Sequence, residues 1–359
     1  MDGVYDRGQW TGKWPGEPPQ MPPEAPQEQE ELRTTRKRFS WLGWAFLIGA
    51  LVMQGAQVAV MLGLQALKPE LMLNSDVMLL ASMLPMYLVG MPVLIFLVKR
   101  LPAAPMERHS IRPGAFVAAT VMCFGLVYLS NILGTLITTA VSILKRSVVQ
   151  NEIFNVTSAV SMWSILLYMV ICAPLMEEYV FRKLIVERTV RYGQGVAVLV
   201  SGLMFGLFHG NLNQFAYAFT LGVFLAFLYV KTGNLKITIA LHMMINFMGG
   251  FVSSLLFKMI DIEEYMDLAL RGNQKAMMEF LMENLLGVVL YMMLGVFVIG
   301  VVIAGAVLWI ISLVKKKFTF AQGMIVIPRG KKFTTVMLNG GMIFYCIFWI
   351  GMILWQLLW

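Results

Sequence analysis

Residues 285–314 read LLGVVLYMMLGVFVIGVVIAGAVLWIISLV, a run of thirty positions without a charged side chain. A helix needs about 20 predominantly apolar residues to cross the hydrocarbon core of a bilayer. The whole chain has the same character, because 58% of its 359 residues are hydrophobic and only 13% are charged. A soluble globular protein has about 45–50% apolar and about 25% charged residues. The composition therefore excludes a soluble enzyme, a disordered protein and a fibrous repeat, and it predicts a protein embedded in lipid.

Nine apolar segments predict an all-α fold, a polytopic transmembrane bundle of about eight to nine helices. Most segments are long enough to span a bilayer, but the fifth and sixth have only about 15 and 18 residues. Gly210, Asn211 and Leu212 join these two segments, which predicts a tight helical hairpin. The nine segments are 41–67, 77–98, 114–144, 160–187, 195–209, 213–230, 237–257, 285–314 and 334–358.

Composition also divides the chain into five predicted parts. The first is a disordered tail, because its Pro, Glu and Gln residues bury too little apolar surface to fold alone. This tail ends in a basic stretch that precedes the first span. The tail, the first transmembrane helices, the catalytic core, an outer amphipathic acidic segment and the last transmembrane helices occupy residues 1–40, 41–158, 159–257, 258–284 and 285–359, respectively.

The loops that would share a side with the N-terminus hold most of the Lys and Arg residues found between the spans. Cytoplasmic loops of membrane proteins carry such an excess. We therefore predict an integral protein of a bacterial cytoplasmic membrane with its N-terminus in the cytoplasm. This orientation is sufficient to explain the basic loops, so the net charge of +8 predicts no nucleic-acid partner.

The ionisable residues within the spans are few, and they cluster in the central part of the chain. Glu177 and Glu178 are adjacent acids, and His209 and His242 lie in the fifth and seventh segments. Each such residue is costly in a bilayer and is therefore a candidate for function. Glu178 and Arg182 are four positions apart with the acid first, which predicts an ion pair on one helix face. Glu177 points about 100° away from that face, so we expect it to be available as a general base.

Two further spacings place side chains on common helix faces. Phe205 and His209 are four positions apart in the fifth segment. His242 and Asn246 are four positions apart in the seventh segment. A minimal hydrolytic set is thus present, and it consists of Glu177, His209, His242 and Asn246. The carboxylate would take a proton from water, a histidine would orient that water, and His242 and Asn246 would donate hydrogen bonds to an oxyanion.

A zinc site is the alternative that these residue types leave open. Glu177, His209 and His242 would be three protein ligands, and water would take the fourth position of a catalytic zinc. Glu178 would then have to serve as the base. The sequence does not separate this route from a metal-free route, so it requires no cofactor and leaves zinc as an alternative.

Motifs of several other hydrolases and pumps are absent from the sequence. It contains no His-Glu-x-x-His of the zincins, no Gly-x-Ser-x-Gly, no Gly-Asp pair and no Walker loop. These absences leave an ordinary zincin, a serine elbow, an intramembrane aspartyl dyad and an ATP-driven pump without support.

The three motifs, in their order along the chain, resemble those of the CPBP family of intramembrane proteases. They are Glu-Glu-x-x-x-Arg at 177–182, Phe-x-x-x-His at 205–209 and His-x-x-x-Asn at 242–246. The family includes the type II CAAX prenyl endopeptidases and the bacteriocin-processing or self-immunity proteins of the Abi group. The resemblance covers about residues 160–250, a quarter of the chain.

This resemblance implies an intramembrane endopeptidase, which the family name describes as a metalloprotease. Glu177 would activate water and His209 would assist it. His242 and Asn246 would form the oxyanion side of the site. The supporting residues would be Glu178, Arg182 and Phe205.

The expected partners are the bilayer and a peptide or protein substrate with a hydrophobic or lipidated segment that enters from the membrane. Two other functions remain as alternatives. The first is a transporter or channel that uses Glu177, His209 and His242 as a proton or metal path. The second is a non-catalytic immunity or scaffold protein that keeps the fold without hydrolysis.

Overall fold

The computed structural model describes residues 26–260 and 262–358, and all regular elements in these two ranges are helices. Eight of the described helices are long and apolar enough to cross a membrane. The all-α bundle of about eight to nine spans that the sequence predicts is therefore confirmed. Short 3₁₀ turns at Pro69–Leu73 and Arg329–Lys331 lie between helices.

The helices follow one another with short connections along most of the chain. In chain order they are α1 (Pro26–Leu67), α2 (Ser75–Val98), α3 (Pro113–Lys145), α4 (Glu152–Ala159), α5 (Met162–Tyr192), α6 (Gln194–Phe208), α7 (Leu212–Thr232), α8 (Leu235–Lys258), α9 (Ile262–Arg271), α10 (Gln274–Glu283), α11 (Leu285–Val314), α12 (Lys332–Val336) and α13 (Gly340–Leu358). The eight candidate spans are α1, α2, α3, α5, α7, α8, α11 and α13.

The predicted hairpin is present as α6 and α7, which have 15 and 21 residues. The turn between them contains Gly210 at a φ of +65°, a conformation that suits glycine because it has no Cβ. The two helices pack almost backbone to backbone. A Cβ added to Gly222 would lie 3.0 Å from the Cα of Gly202. Small residues at such crossings allow membrane helices to approach closely.

The structure corrects the boundary of the predicted disordered tail, residues 1–40. Helix α1 begins at Pro26, and residues 1–25 lie outside the described residues. Glu28 stands in the first turn, where the helix dipole favours negative charge. Thr35 and Phe39 are each only 1% exposed. Tertiary packing therefore holds in a helix a segment whose composition alone predicts no structure.

Two predicted helices are each interrupted by a local backbone signal. The outer acidic segment 258–284, interpreted from the sequence as one amphipathic helix, contains α9 and α10. Gly272 breaks it at a φ of +64°, and the side chain of Asn273 caps α10. The apolar segment 334–358 likewise includes the end of α12 and the whole of α13, and Asn339 Oδ1 accepts a hydrogen bond from the backbone of α13 at 3.1 Å.

The last span, α13, packs against α1 and against α6. A Cβ added to Gly43 of α1 would lie 2.2 Å from the backbone of Gly341, so the two helices touch at their glycines. The Tyr345 hydroxyl donates a hydrogen bond to the carbonyl oxygen of Met204 on α6 at 2.7 Å. The C-terminal helix is thus part of the wall around α6 and its neighbours.

Three spans contain π-helical turns, in which the backbone hydrogen bonds run from residue i to i+5. These turns lie in α2, α5 and α8. They occupy Met86–Gly90, Ile165–Cys172, Tyr179–Val186 and Phe247–Val252. Such turns occur often at functional sites because they re-aim side chains within an otherwise regular helix. In α5 they flank Glu177 and Glu178 on both sides.

Candidate active site

Glu178 and Arg182 form a completely buried ion pair on α5. Arg182 Nε lies 3.1 Å from Glu178 Oε2, and both side chains are 0% exposed. This confirms the pair that the four-residue spacing predicts. The guanidinium also stacks on the ring of Phe205 from α6, with its carbon 4.6 Å from the ring centroid. A buried pair of this kind leaves an uncompensated charge if either partner is lost.

His242 of α8 lies between the two glutamates. Its Nδ1 lies 2.9 Å from Glu178 Oε1, and its Nε2 lies 3.6 Å from Glu177 Oε2. Because Arg182 holds Glu178 as a carboxylate, Nδ1 of the imidazole carries the proton of that hydrogen bond. The other nitrogen then faces a second carboxyl group. Glu177 is thus the second carboxyl group beside His242, slightly beyond hydrogen-bond distance of Nε2.

Glu177 is the more accessible of the two acids. It is 19% exposed, while its neighbour Glu178 is fully buried. It is also the middle residue of the span Met162–Tyr192. The acid without a fixed cation is thus the more exposed of the two.

His209 follows α6 directly, at the entrance to the hairpin turn. Its Nδ1 lies 2.9 Å from the carbonyl oxygen of Phe205. A carbonyl oxygen only accepts hydrogen bonds, so Nδ1 carries a proton and Nε2 is an acceptor in the neutral ring. The Phe205 ring meets both imidazoles edge to face, at centroid distances of 4.8 Å for His209 and 5.7 Å for His242. Phe205 is therefore a shared wall between the two histidines.

Asn246 lies one turn beyond His242 on α8. Its Nδ2 donates a hydrogen bond to the carbonyl oxygen of Met169, within the first π-helical turn of α5, at 2.8 Å. This bond ties α8 to α5 and uses one of the two amide hydrogens. The second hydrogen remains for another acceptor.

The zinc alternative does not fit this arrangement. In residues 26–260 and 262–358, no group of three His, Cys, Asp or Glu side chains is placed to hold a metal ion. We therefore derive no catalytic step through a metal.

Three polar residues near the site have no motif that marks them in the sequence. The tyrosines Tyr87 of α2 and Tyr217 of α7 are both close enough to Glu177 to feel its charge. Thr238 is fully buried one turn before His242 and contacts Glu178. Tyrosine is common in membrane helices, so the sequence offers no signal for the first two. Thr238 shares the four-residue spacing of His242, which is a signal that could have found it.

The part of the chain that matches a known protein family contains this site. Residues 159–248 match the family model described as type II CAAX prenyl endopeptidase Rce1-like. Over 100 residues the chain is 35% identical to the membrane-embedded CAAX protease MroQ of Staphylococcus aureus (strain USA300). That match covers 26% of this chain and 38% of the relative. No solved structure gives a significant match. The two matches confirm the resemblance to the CPBP proteases, and the family model includes all three motifs.

Proposed function

We propose, on the premise that residues 159–248 form an Rce1-like CAAX prenyl endopeptidase domain, that this membrane protein is an intramembrane endopeptidase. The observation that carries the proposal is the placement of His242 between a buried, charge-paired Glu178 and an accessible Glu177. If His242 only stabilised the helix bundle, its contact with Glu178 would suffice, and it would not need the carboxyl group of Glu177 on its other side.

Glu177 is the general base of the proposed reaction. As a carboxylate, Glu177 takes a proton from water. The water oxygen attacks the peptide carbonyl carbon and forms a tetrahedral intermediate. Glu177 then gives the proton to the leaving nitrogen as the carbon–nitrogen bond breaks. His209 supports this step because its Nε2 accepts a hydrogen bond from the same water.

The oxyanion of the intermediate requires donors that are fixed before the reaction begins. The remaining N–H of Asn246 is one such donor, and the bond to Met169 holds the amide in a single orientation. In its protonated form, His242 offers Nε2–H on the same side of α8. Glu178, Arg182 and Phe205 keep the imidazole in place without contact with the substrate.

The substrate class follows from the surroundings of the site. The residues lie within spans whose outer surfaces carry many exposed apolar side chains. A substrate that reaches Glu177 from the bilayer needs a hydrophobic or lipid-modified segment near the bond that is cut. The relative from Staphylococcus aureus is named as a membrane-embedded CAAX protease, and this name is consistent with such a substrate class.

The test is cleavage of a prenylated or hydrophobic C-terminal peptide by purified protein in liposomes. We expect cleavage by the wild type and its loss in Glu177→Ala and His242→Ala, with a large reduction in His209→Ala. Matched controls are His109→Ala, in the loop between α2 and α3, and Glu70→Ala, whose side chain is 64% exposed. Equal cleavage by all variants would refute the proposal. Absence of cleavage by the wild type, with proton or metal flux that depends on Glu177, would favour a transporter or channel. A fold that is intact but inactive in both assays would favour a scaffold.

We also propose that the N-terminus faces the cytoplasm of a bacterial cell. The bias of Lys and Arg towards one set of loops supports this orientation. Reporter fusions after Lys99 and after Lys258 test it, because these residues end spans on opposite sides of the predicted membrane. The first should report the cytoplasm and the second the exterior, and the reverse result would overturn the orientation.

A further inference from the structure

The Tyr87 hydroxyl of α2 is buried and has no hydrogen-bond partner within the described residues. A hydroxyl group in that position forgoes its bonds to water, which is unfavourable for the folded state. Most buried polar groups have a partner, so an exception needs an explanation in function or in a missing ligand. The phenol is an uncommitted hydrogen-bond donor inside the membrane region.

The position of Tyr87 brings this donor to the reactive carboxylate. The residue lies halfway along the span Ser75–Val98, and Glu177 lies halfway along the span Met162–Tyr192. Glu177 and Cys172 are the neighbouring groups whose charges act on the phenol. Tyr87 also belongs to the π-helical turn Met86–Gly90, one of the local irregularities that surround the site.

The donors contributed by the matched domain are either partly engaged or sealed from solvent, as are the three Arg182 nitrogens, which have no hydrogen-bond partner. His242 Nδ1 is engaged with Glu178, and one amide hydrogen of Asn246 is engaged with Met169, so Nε2 of His242 and one N–H of Asn246 remain. The guanidinium of Arg182 is stacked on Phe205 and sealed from solvent at 0% exposure. A developing oxyanion beside Glu177 therefore finds few free N–H groups. The phenol O–H is a further free donor within range of the charge of Glu177.

We propose that Tyr87, which lies outside the family-matched segment, donates a hydrogen bond to the carbonyl oxygen of the scissile peptide and stabilises the oxyanion that forms there. The inference rests on the proposed protease function and adds a residue from α2 to the site. In this role Tyr87 transfers no proton, and its O–H remains intact throughout the reaction. The first group of transmembrane helices then supplies catalytic machinery as well as support.

The test compares Tyr87→Phe with the wild type and with Tyr128→Phe, in liposomes and with the same prenylated peptide. Tyr128 is a matched control, because it is a partly buried phenol of α3 that stacks on Phe124. Loss of one oxyanion donor lowers kcat by about 10²–10³-fold, and we expect a fall of this order with little change in KM. Because the deleted hydroxyl has no partner in the resting protein, Tm should stay equal or rise. Tyr128→Phe should retain wild-type kcat.

The outcomes separate this inference from the proposed function. Wild-type kcat in Tyr87→Phe, with Glu177→Ala inactive, would overturn the role of Tyr87 and leave the protease intact. A fall in Tm that parallels the fall in kcat would assign Tyr87 a structural role and also overturn the inference. Wild-type protein that cleaves no peptide would overturn the proposed function itself, and the role of Tyr87 with it.

Discussion

His242 Nδ1 lies 2.9 Å from Glu178 Oε1, so the histidine of α8 is anchored to the acid that Arg182 already holds. The chain of contacts runs from a guanidinium through a carboxylate to an imidazole, and it ends at Glu177, 3.6 Å beyond Nε2. Each member contacts the next, and the last, Glu177, is the most exposed of the four. The two adjacent glutamates therefore differ in their surroundings, because Glu178 is buried and paired with Arg182, whereas Glu177 is partly exposed and has no such partner.

Replacement of the two glutamates should therefore have different consequences. We expect Glu178→Gln to lower Tm strongly, because it leaves the buried charge of Arg182 without its partner. Glu177→Gln should abolish peptide cleavage and leave Tm close to that of the wild type, because this side chain is 19% exposed and has no fixed cation. Thermal unfolding in detergent and the liposome cleavage assay measure the two effects. Equal losses of Tm would contradict the division of roles.

The ion pair can be tested from its other end. Arg182→Met should destabilise the protein by about 3–5 kcal/mol, because it leaves a carboxylate buried without a cation. The double variant Glu178→Gln/Arg182→Met removes both charges and should recover much of this loss. The free energy of unfolding in mixed micelles gives the comparison. A double variant no more stable than Arg182→Met would show that packing, rather than charge, accounts for the loss.

The sequence predicts this pair and the apolar spans because both depend on local spacing. Glu178 and Arg182 are on one helix, and the apolar runs need only length and composition. It also predicts a cluster of Glu177, His209 and His242, since ionisable residues in a bilayer are few, and of this cluster the structure shows the contact between Glu177 and His242. The sequence does not predict the hydrogen bond between Glu178 and His242, because that contact depends on the rotation of α8 against α5.

Local sequence patterns also fail to predict features that depend on contacts between distant parts of the chain. Tyr87 lies about ninety positions before Glu177, and nothing in the spacing of α2 distinguishes it from a lipid-facing tyrosine. The helical state of residues 26–40 was also missed, because Thr35 and Phe39 are ordered by packing against the bundle. Composition describes what a segment can do alone, whereas these features depend on its neighbours.

The close contact between α6 and α7 should control the position of His209. A Cβ on Gly202 would lie 2.4 Å from Val223 Cγ2 and 2.8 Å from the backbone nitrogen of Val223, so α7 would have to shift. We expect Gly202→Ala to destabilise the protein by about 1–3 kcal/mol and to reduce cleavage. Gly295→Ala is the control, because a Cβ there meets nothing within 4 Å. Cleavage and Tm equal to those of Gly295→Ala would show that the hairpin is not held at this crossing.

The last span should be required for the histidine turn, although it lies outside the family-matched segment. Trp349 of α13 is 6% exposed, packs on Phe208 at a centroid distance of 5.2 Å and lies against the glycine that follows His209. Trp349→Ala removes this support and should cost about 3–5 kcal/mol of stability, with reduced cleavage. Trp163→Ala is the matched control, since that indole is 80% exposed and its loss leaves no cavity. Comparison of Tm and kcat for the two variants decides the point. If Trp349→Ala kept both values at the level of Trp163→Ala, α13 would be a passive neighbour of the site.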